Sequence, residues 1–319
     1  MTSIVASCRD LRVLKGSSSA SLRRWRRVYP SGVDAVPSIS SPWQADPLVA
    51  ALAAVAAVSF LQGFVRLRRR GQREHARWTR AVLFFLGLSL LVLPVVSPLD
   101  ELGDRFLLSA HMLQHVLIGD SAPALILVSL RGPLLFFSVP QPLLRFLGRS
   151  SRARRLGRQL SRPQIALAAW AVFFGGWHIP AAYDFAARHQ VVHDLEHASF
   201  VLAGFLVWNV LVDPARHGRL SRGRRLGVAG VLLVMGTAIA DVLIFSLHPL
   251  YPAYGDQAHR VFALSPLRDQ RLAGLVMTVE QLIALGTFAA IVVLPELRRR
   301  RDARVVVPRR APAQEAPIR

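Results

Sequence analysis

Apolar residues run through this chain in blocks, and the blocks are separated by short polar stretches at a nearly regular interval. Neither the alternation of a half-buried strand nor the narrow stripe of a soluble amphipathic helix appears; each block is apolar all round and about 20 residues long. At 1.5 Å per residue such a block spans the ~30 Å of hydrocarbon in a bilayer. Seven blocks have this length: residues 47 to 65, 79 to 97, 106 to 128, 164 to 183, 191 to 212, 226 to 247 and 272 to 294. The pattern predicts an all-α, polytopic membrane protein, a seven-transmembrane-helix bundle occupying residues 46–295. Between the third and fourth blocks, residues 133–149 (PLLFFSVPQPLLRFLGR) are apolar but broken by prolines, which suits a segment lying at the membrane interface.

The flanking segments read differently. Residues 1–45 are rich in Arg, Ser and Pro, and they are expected to form a disordered extension. The Val5-Ala6-Ser7-Cys8 stretch resembles a lipobox, but it lacks the charged and apolar regions of a signal peptide. Residues 296–319 are expected to form a basic cytoplasmic tail.

Composition supports the membrane reading: 52% of the 319 residues are hydrophobic, while the formal net charge is +21. In a soluble protein that charge would suggest nucleic acid, but here the arginines cluster between apolar runs rather than on one face beside aromatic platforms, so no nucleic-acid partner is expected. Residues 66–80, 129–162, 213–225 and 295–319 hold seven, eight, five and eight Arg. The alternate loops, 98–105, 184–190 and 248–271, hold five Arg against Asp100, Glu101, Asp104, Asp184, Asp256 and Asp269. The positive-inside rule then places the N-terminus outside and the C-terminus in the cytoplasm. Seven basic residues before Pro30 oppose that orientation, but they lie far from the first span and four later loops outweigh them.

On this topology the ten histidines segregate. His75 and His217 fall in cytoplasmic loops, whereas His111, His115, His178, His189, His193, His197, His248 and His259 fall at or near the outer ends. Depth along the helices puts His111 and His178 about 7 Å below the outer boundary, with His193 and His197 at about 4 and 10 Å. Two pairs, His111/His115 and His193/His197, are spaced by four, so each pair projects from one helical face. Two imidazoles on one face can share a metal ion, and strongly polar side chains at membrane depth suggest function. The single cysteine, Cys8, rules out a Cys-based metal site within this chain. A metal site of His111, His115, His178, His193 and His197 is therefore expected, with Met112, His248 and Met277 as weaker candidates. Thioethers would favour copper over zinc. For His189, His248 and His259 an interfacial side chain touching water is the simpler reading, and for Met112 and Met277 simple packing. Asp120, Asp241 and Glu280 lie deeper, as packed protonated acids or as a proton or cation relay. Gly175-Gly176-Trp177-His178-Ile179-Pro180 combines small residues for close helix approach, an aromatic anchor and a kink.

Five segments in this order resemble the CtaG-type cytochrome c oxidase assembly factors of bacteria, first associated with caa-type oxidases. They are His111-Met112-Leu113-Gln114-His115 with Ala122-Pro123; Trp177-His178-Ile179-Pro180-Ala181-Ala182-Tyr183-Asp184; His193-Asp194-Leu195-Glu196-His197 with Phe200 and Trp208; Pro249-Leu250-Tyr251-Pro252-Ala253-Tyr254; and Asp269-Gln270-Arg271-Leu272-Ala273-Gly274-Leu275-Val276-Met277. The resemblance covers roughly residues 45–295. It implies a non-enzymatic, multi-pass protein of the bacterial plasma membrane that helps mature a haem–copper oxidase by handling copper on the outer face, with the oxidase subunits as partners. It adds Asp269 and Gln270, the latter without a metal role, to the residues of interest. The chain departs from the family where Thr278 stands in place of a frequent Trp, and in its Arg-rich N-terminal extension.

Rival functions follow from the same residues. His193-Asp194-Leu195-Glu196-His197 fits H-x-x-E-H, in which two His bind zinc and the Glu acts as base, so a seven-span zinc-dependent hydrolase is the enzymatic alternative. A copper or proton transporter would use the deeper acids, and a membrane cytochrome would ligate haem between histidines. No P-loop, Rossmann glycine pattern or nucleophile elbow is present.

Overall fold

A computed structural model describes Trp43, residues 46–218 and 220–255, and residues 261–305. The expected extension over 1–45 lies outside the described residues except for Trp43, as do His259 and the chain beyond residue 305. Among the described residues all regular structure is helical. Six helices are long and apolar enough to cross a membrane: α1 (Pro47–Arg69), α2 (Trp78–Val96), α4 (Leu108–Ser129), α10 (Gln190–Val212), α11 (Arg222–Phe245) and α12 (Pro266–Val305). Between them lie shorter helices: α3 (Pro98–Arg105), α5 (Pro133–Ser138), α6 (Gln141–Arg149), α7 (Ser151–Leu160), α8 (Pro163–Gly175) and α9 (Pro180–Ala187).

The fourth expected span, 164–183, is not one straight helix. Its two parts, α8 and α9, meet at 71°, and only together do they make a seventh crossing. Pro180 has no N–H to continue the ladder, and the residue before it, Ile179, is extended, at φ −69° and ψ 124°. A second departure is inside α4, where residues Leu117–Ser121 form a π-helical turn. Pro123, two residues beyond, cannot donate to the carbonyl of Gly119, so the ladder is already interrupted there. Another π turn, Ala171–Gly175, ends α8 three residues before His178.

Packing divides into a main core and a smaller one. In the main core the inner faces of α4, α8, α9, α10, α11 and α12 enclose Met112, Tyr183, Phe200, Trp208, Leu243 and Met277 among others. In the smaller, Phe60 of α1 stacks on Phe84 of α2 with ring centroids 4.0 Å apart, near Leu134 of α5. Large apolar side chains remain outside: Leu48, Leu52 and Val55 of α1, Val234 and Val242 of α11, and Val279 and Ile283 of α12 are all exposed. Helices that leave so much apolar surface uncovered are suited to lipid, not water. The broken segment 133–149 resolves into α5 and α6, and α7 follows it, carrying Arg152, Arg154, Arg155 and Arg158 with an exposed Leu156.

Small residues set the closest approaches. At Gly204 of α10 an added Cβ would lie 1.9 Å from the carbonyl oxygen of Gly119, the one left without a donor by Pro123. The π turn and α10 therefore touch backbone to backbone, as helices in membranes do where glycine permits.

Candidate metal centre

Helices α4 and α10 each present one turn of histidines to the same space. His111 and His115 lie with ring centroids 4.2 Å apart, and so do His193 and His197. Across the gap, His111 and His193 are 5.4 Å apart and His115 and His197 5.2 Å, so the four rings form a rough rectangle. Each ring offers a nitrogen, and these four atoms all lie within 4.8 Å of one another. A tetrahedral ion with bonds of about 2.0–2.1 Å would hold four nitrogens about 3.3 Å apart, closer than the separations of up to 4.8 Å seen here.

Burial makes this arrangement costly without a ligand. His111, His115 and His193 are at most 5% exposed. Both ring nitrogens of His111 and of His115, and Nε2 of His193 and of His197, are buried with no hydrogen-bond partner. An unpaired buried polar group costs about 1–3 kcal/mol. A neutral imidazole carries a lone pair on one ring nitrogen only, so the four rings can turn four such nitrogens toward a shared space.

Carboxylates stand on both sides of the rings. Above, Asp104 of α3 places Oδ1 3.4 Å from both His111 Nδ1 and His193 Nε2. Burial opposes its ionised form, but close contact with His111 and the charge of His111, His193 and His197 outweigh that, and the carboxyl is held below its ordinary range. Beneath, Glu196, 1% exposed, lies 3.9 Å from His115 Nε2, and its Oε1 is also unpartnered.

Helix α3 is held over the centre as a cover. Ser97 caps its first turn by accepting from Leu99 N, and Pro98 opens the helix. Asp100 accepts a 2.6 Å hydrogen bond from Gln114 of α4, which also donates to the carbonyl of Pro94. Burial and the neighbouring charge of Asp104 push the Asp100 carboxyl up to about 6, against the pull of Gln114. Gly103 sits so close that a Cβ there would meet the His111 backbone at 3.0 Å. Its carbonyl accepts from Tyr254 Oη at 2.7 Å, and Tyr254 in turn bonds Tyr183, whose ring packs on His111.

Not every expected residue joins the four. His178 points its Nδ1 at the carbonyl of Phe174, 2.6 Å away, and its ring stacks on Phe174. Phe200 touches the rings of both His115 and His178, so His178 neighbours the centre without belonging to it, with a buried, unpartnered Nε2 of its own. Met112 and Met277 are in the main core, and Met277 lines a small cavity beside Asp120 and Glu280. His248 is exposed. Asp269 is buried but committed elsewhere: it accepts from the N–H groups of Leu108 and Ser109 and from Ser109 Oγ, capping α4 from α12. Gln270 is similarly structural, linking Leu250 N to the carbonyl of Leu243. Asp104 was readable in the sequence only as an outward-loop acid; the one signal was its place seven residues before His111 in a Pro-initiated segment.

The family model for the cytochrome c oxidase caa3 assembly factors matches residues 58–299. The chain belongs to this family. All four clustered histidines, Asp104 and Glu196 lie inside the matched region. Among curated proteins, it is 24% identical over 279 residues to an uncharacterised protein of Mycobacterium bovis and, with the same figures, to one of Mycobacterium tuberculosis. Each alignment takes in 82% of this chain but only 40% of the relative, so the chain spans well under half the length of these mycobacterial proteins. No solved structure matches.

Proposed function

We propose that this assembly factor holds a copper ion in the centre formed by His111, His115, His193 and His197 and passes it toward the copper centres of a haem–copper oxidase. The convergence of buried imidazole nitrogens without partners carries the reading. Neutral imidazole binds copper without thiolate, which suits a site that must release its cargo. Asp104 supplies one compensating charge at the outer side, and α3 is the element that would have to move for the ion to leave. His178, with its free Nε2 one aromatic ring away, is a second stopping place for the ion. The centre faces the outside of the bacterial plasma membrane, with the N-terminus outside and the C-terminus in the cytoplasm, as the arginine distribution favours.

Glu196 within H-x-x-E-H keeps zinc-dependent hydrolysis as the second reading. Four imidazoles in reach of one ion favour binding over hydrolysis, because a catalytic zinc uses three protein ligands and keeps one position for water. Transport through the membrane would instead need Asp120 and Glu280 below the centre.

Detergent-purified protein titrated with Cu(I) and with Zn(II) under anaerobic conditions tests the proposal by elemental analysis. About one copper per chain is expected, lost in His111→Ala/His193→Ala, while Glu196→Ala still supports oxidase assembly. Absence of copper in the wild type, or zinc binding with peptide hydrolysis that Glu196→Ala abolishes, would sink it.

A further inference from the structure

Helix α12 packs closely against the outer half of α4, residues Leu108–Val116, and diverges from the inner half, Ala122–Ser129. The wedge between them is a cavity of about 470 Å³. Its walls are apolar, from Leu125 and Val128 of α4, Val212 of α10, and Phe288, Ile291 and Val292 of α12. Val128 and Ile291 at its edges are exposed on the lipid-facing surface, so the wedge is open sideways. On α12 it extends from Ile283 to Pro295, about 18 Å at 1.5 Å per residue, close to the ~15 Å of one leaflet's hydrocarbon.

One end of this cavity is ringed by cations. Arg131, Arg222 and Arg225 line it directly. Arg80 and Arg216 stand just behind: Arg80 donates to the carbonyl of Arg131, and the Arg216 guanidinium packs on Gly132. Two acids stand among them in the described residues, Glu296 at 3.7 Å from Arg222, and Asp213, whose oxygens accept from the backbone of His217 and Gly218. Guanidinium groups gathered around an apolar slot repel each other unless an anion joins them, and planar guanidinium is the side chain best shaped for phosphate.

We propose that the wedge binds an anionic phospholipid, with one acyl chain filling the space between α4 and α12 and the phosphate resting on Arg131, Arg222 and Arg225. The inner end of the slot is closed by Ser121 and Trp208, which donate to Glu280 and Asp120 respectively. The bound chain therefore also seals the membrane-buried carboxyls from the arginine-ringed end. The site is separate from the histidine centre, and it stands whether or not that centre binds copper.

Native mass spectrometry of the full chain tests this, after delipidation and titration with phosphatidylglycerol, with phosphatidylcholine of the same acyl chains, and with inorganic phosphate. One phosphatidylglycerol is expected to bind at least ten-fold more tightly than phosphatidylcholine. Arg131→Gln/Arg222→Gln/Arg225→Gln should bring the two lipids to parity, and Ala284→Phe, which fills the slot from α12, should abolish both. Should the triple variant fail to fold, Arg222→Gln alone should narrow the preference, and Thr287→Trp repeats the steric test from the next turn. Equal affinity for the two lipids in the wild type overturns the proposal, as does binding indifferent to Ala284→Phe and Thr287→Trp. Phosphate retained as firmly as phosphatidylglycerol overturns it too, because the acyl chain would then contribute nothing.

Discussion

Asp104 is the residue on which the histidine centre depends for charge, since it faces two of the four rings from outside the membrane span. Asp104→Asn keeps the shape and removes the charge. A charge-assisted contact contributes about 1.5–3 kcal/mol, so the copper dissociation constant should rise roughly ten- to a hundred-fold, measured by competition with a chromophoric chelator. An unchanged constant would make Asp104 a spectator. Asp100, four residues earlier, gives a pH test of the cover. Its carboxyl is raised to about 6 in the fold, so the folded form retains a proton that the unfolded chain releases near 3.9. The stability this gives α3 is complete below about pH 4 and is lost as pH rises through about 6. Amide exchange in residues 99–105, corrected for the intrinsic rate, should therefore be faster at pH 7.5 than at pH 5.5. Asp100→Asn should flatten the difference while still accepting from Gln114. Copper binding should move the other way, weakening as falling pH makes protons compete for the imidazole lone pairs, and a copper affinity that does not change with pH would argue against histidine ligation. At this scale the two i, i+4 pairs were legible, because helical spacing alone puts such residues on one face. Asp104 was not, because nothing local says that a loop acid folds back over a helix. His178 was placed in the group on depth along a straight helix, and the bend that follows it, together with its own tie to Phe174, takes it out.

Between elements, glycine and proline decide the geometry that brings the rings together. Pro123 cannot donate to the Gly119 carbonyl, and α10 approaches that carbonyl, at the π turn, through Gly204. Gly204→Ala would drive a methyl into backbone, which cannot step aside as a flexible side chain can. A loss of about 1–3 kcal/mol is expected, read as a lower thermal midpoint in detergent together with weaker copper binding, since α4 and α10 carry the two histidine pairs. Gly286→Ala, on α12 with open space at its Cβ, is the control and should be neutral or stabilising by up to about 1 kcal/mol. Equal effects of the two substitutions would show that the close approach is not what positions the pairs. Helix existence was legible here, because a 20-residue apolar run has few alternatives. The π turns and the 71° break were legible only as a Gly/Pro-rich neighbourhood, since a run of apolar residues reads the same whether its ladder is continuous or shifted by one residue.

For the molecule as a whole, the direction in which the bundle faces ties the two sites together. The histidine centre and its α3 cover lie at one end of α4, and the arginine-ringed wedge at the other. If copper is taken from and given to partners outside the cytoplasm, the wedge must meet the inner leaflet, which is also where the positive-inside rule puts its arginines. Single cysteines in a Cys8→Ser background report this directly. His189→Cys, beside the centre, should react with a membrane-impermeant maleimide in intact spheroplasts, whereas Arg152→Cys, on the arginine-rich helix α7, should react only after lysis. Both substitutions sit at exposed positions, and His189 only receives a local contact from Phe185, so the fold should tolerate them. The reverse labelling pattern would put the histidines on the cytoplasmic side, where the proposed outward delivery to the oxidase copper centres could not take place. It would leave the metal site intact but remove delivery to those centres as its purpose.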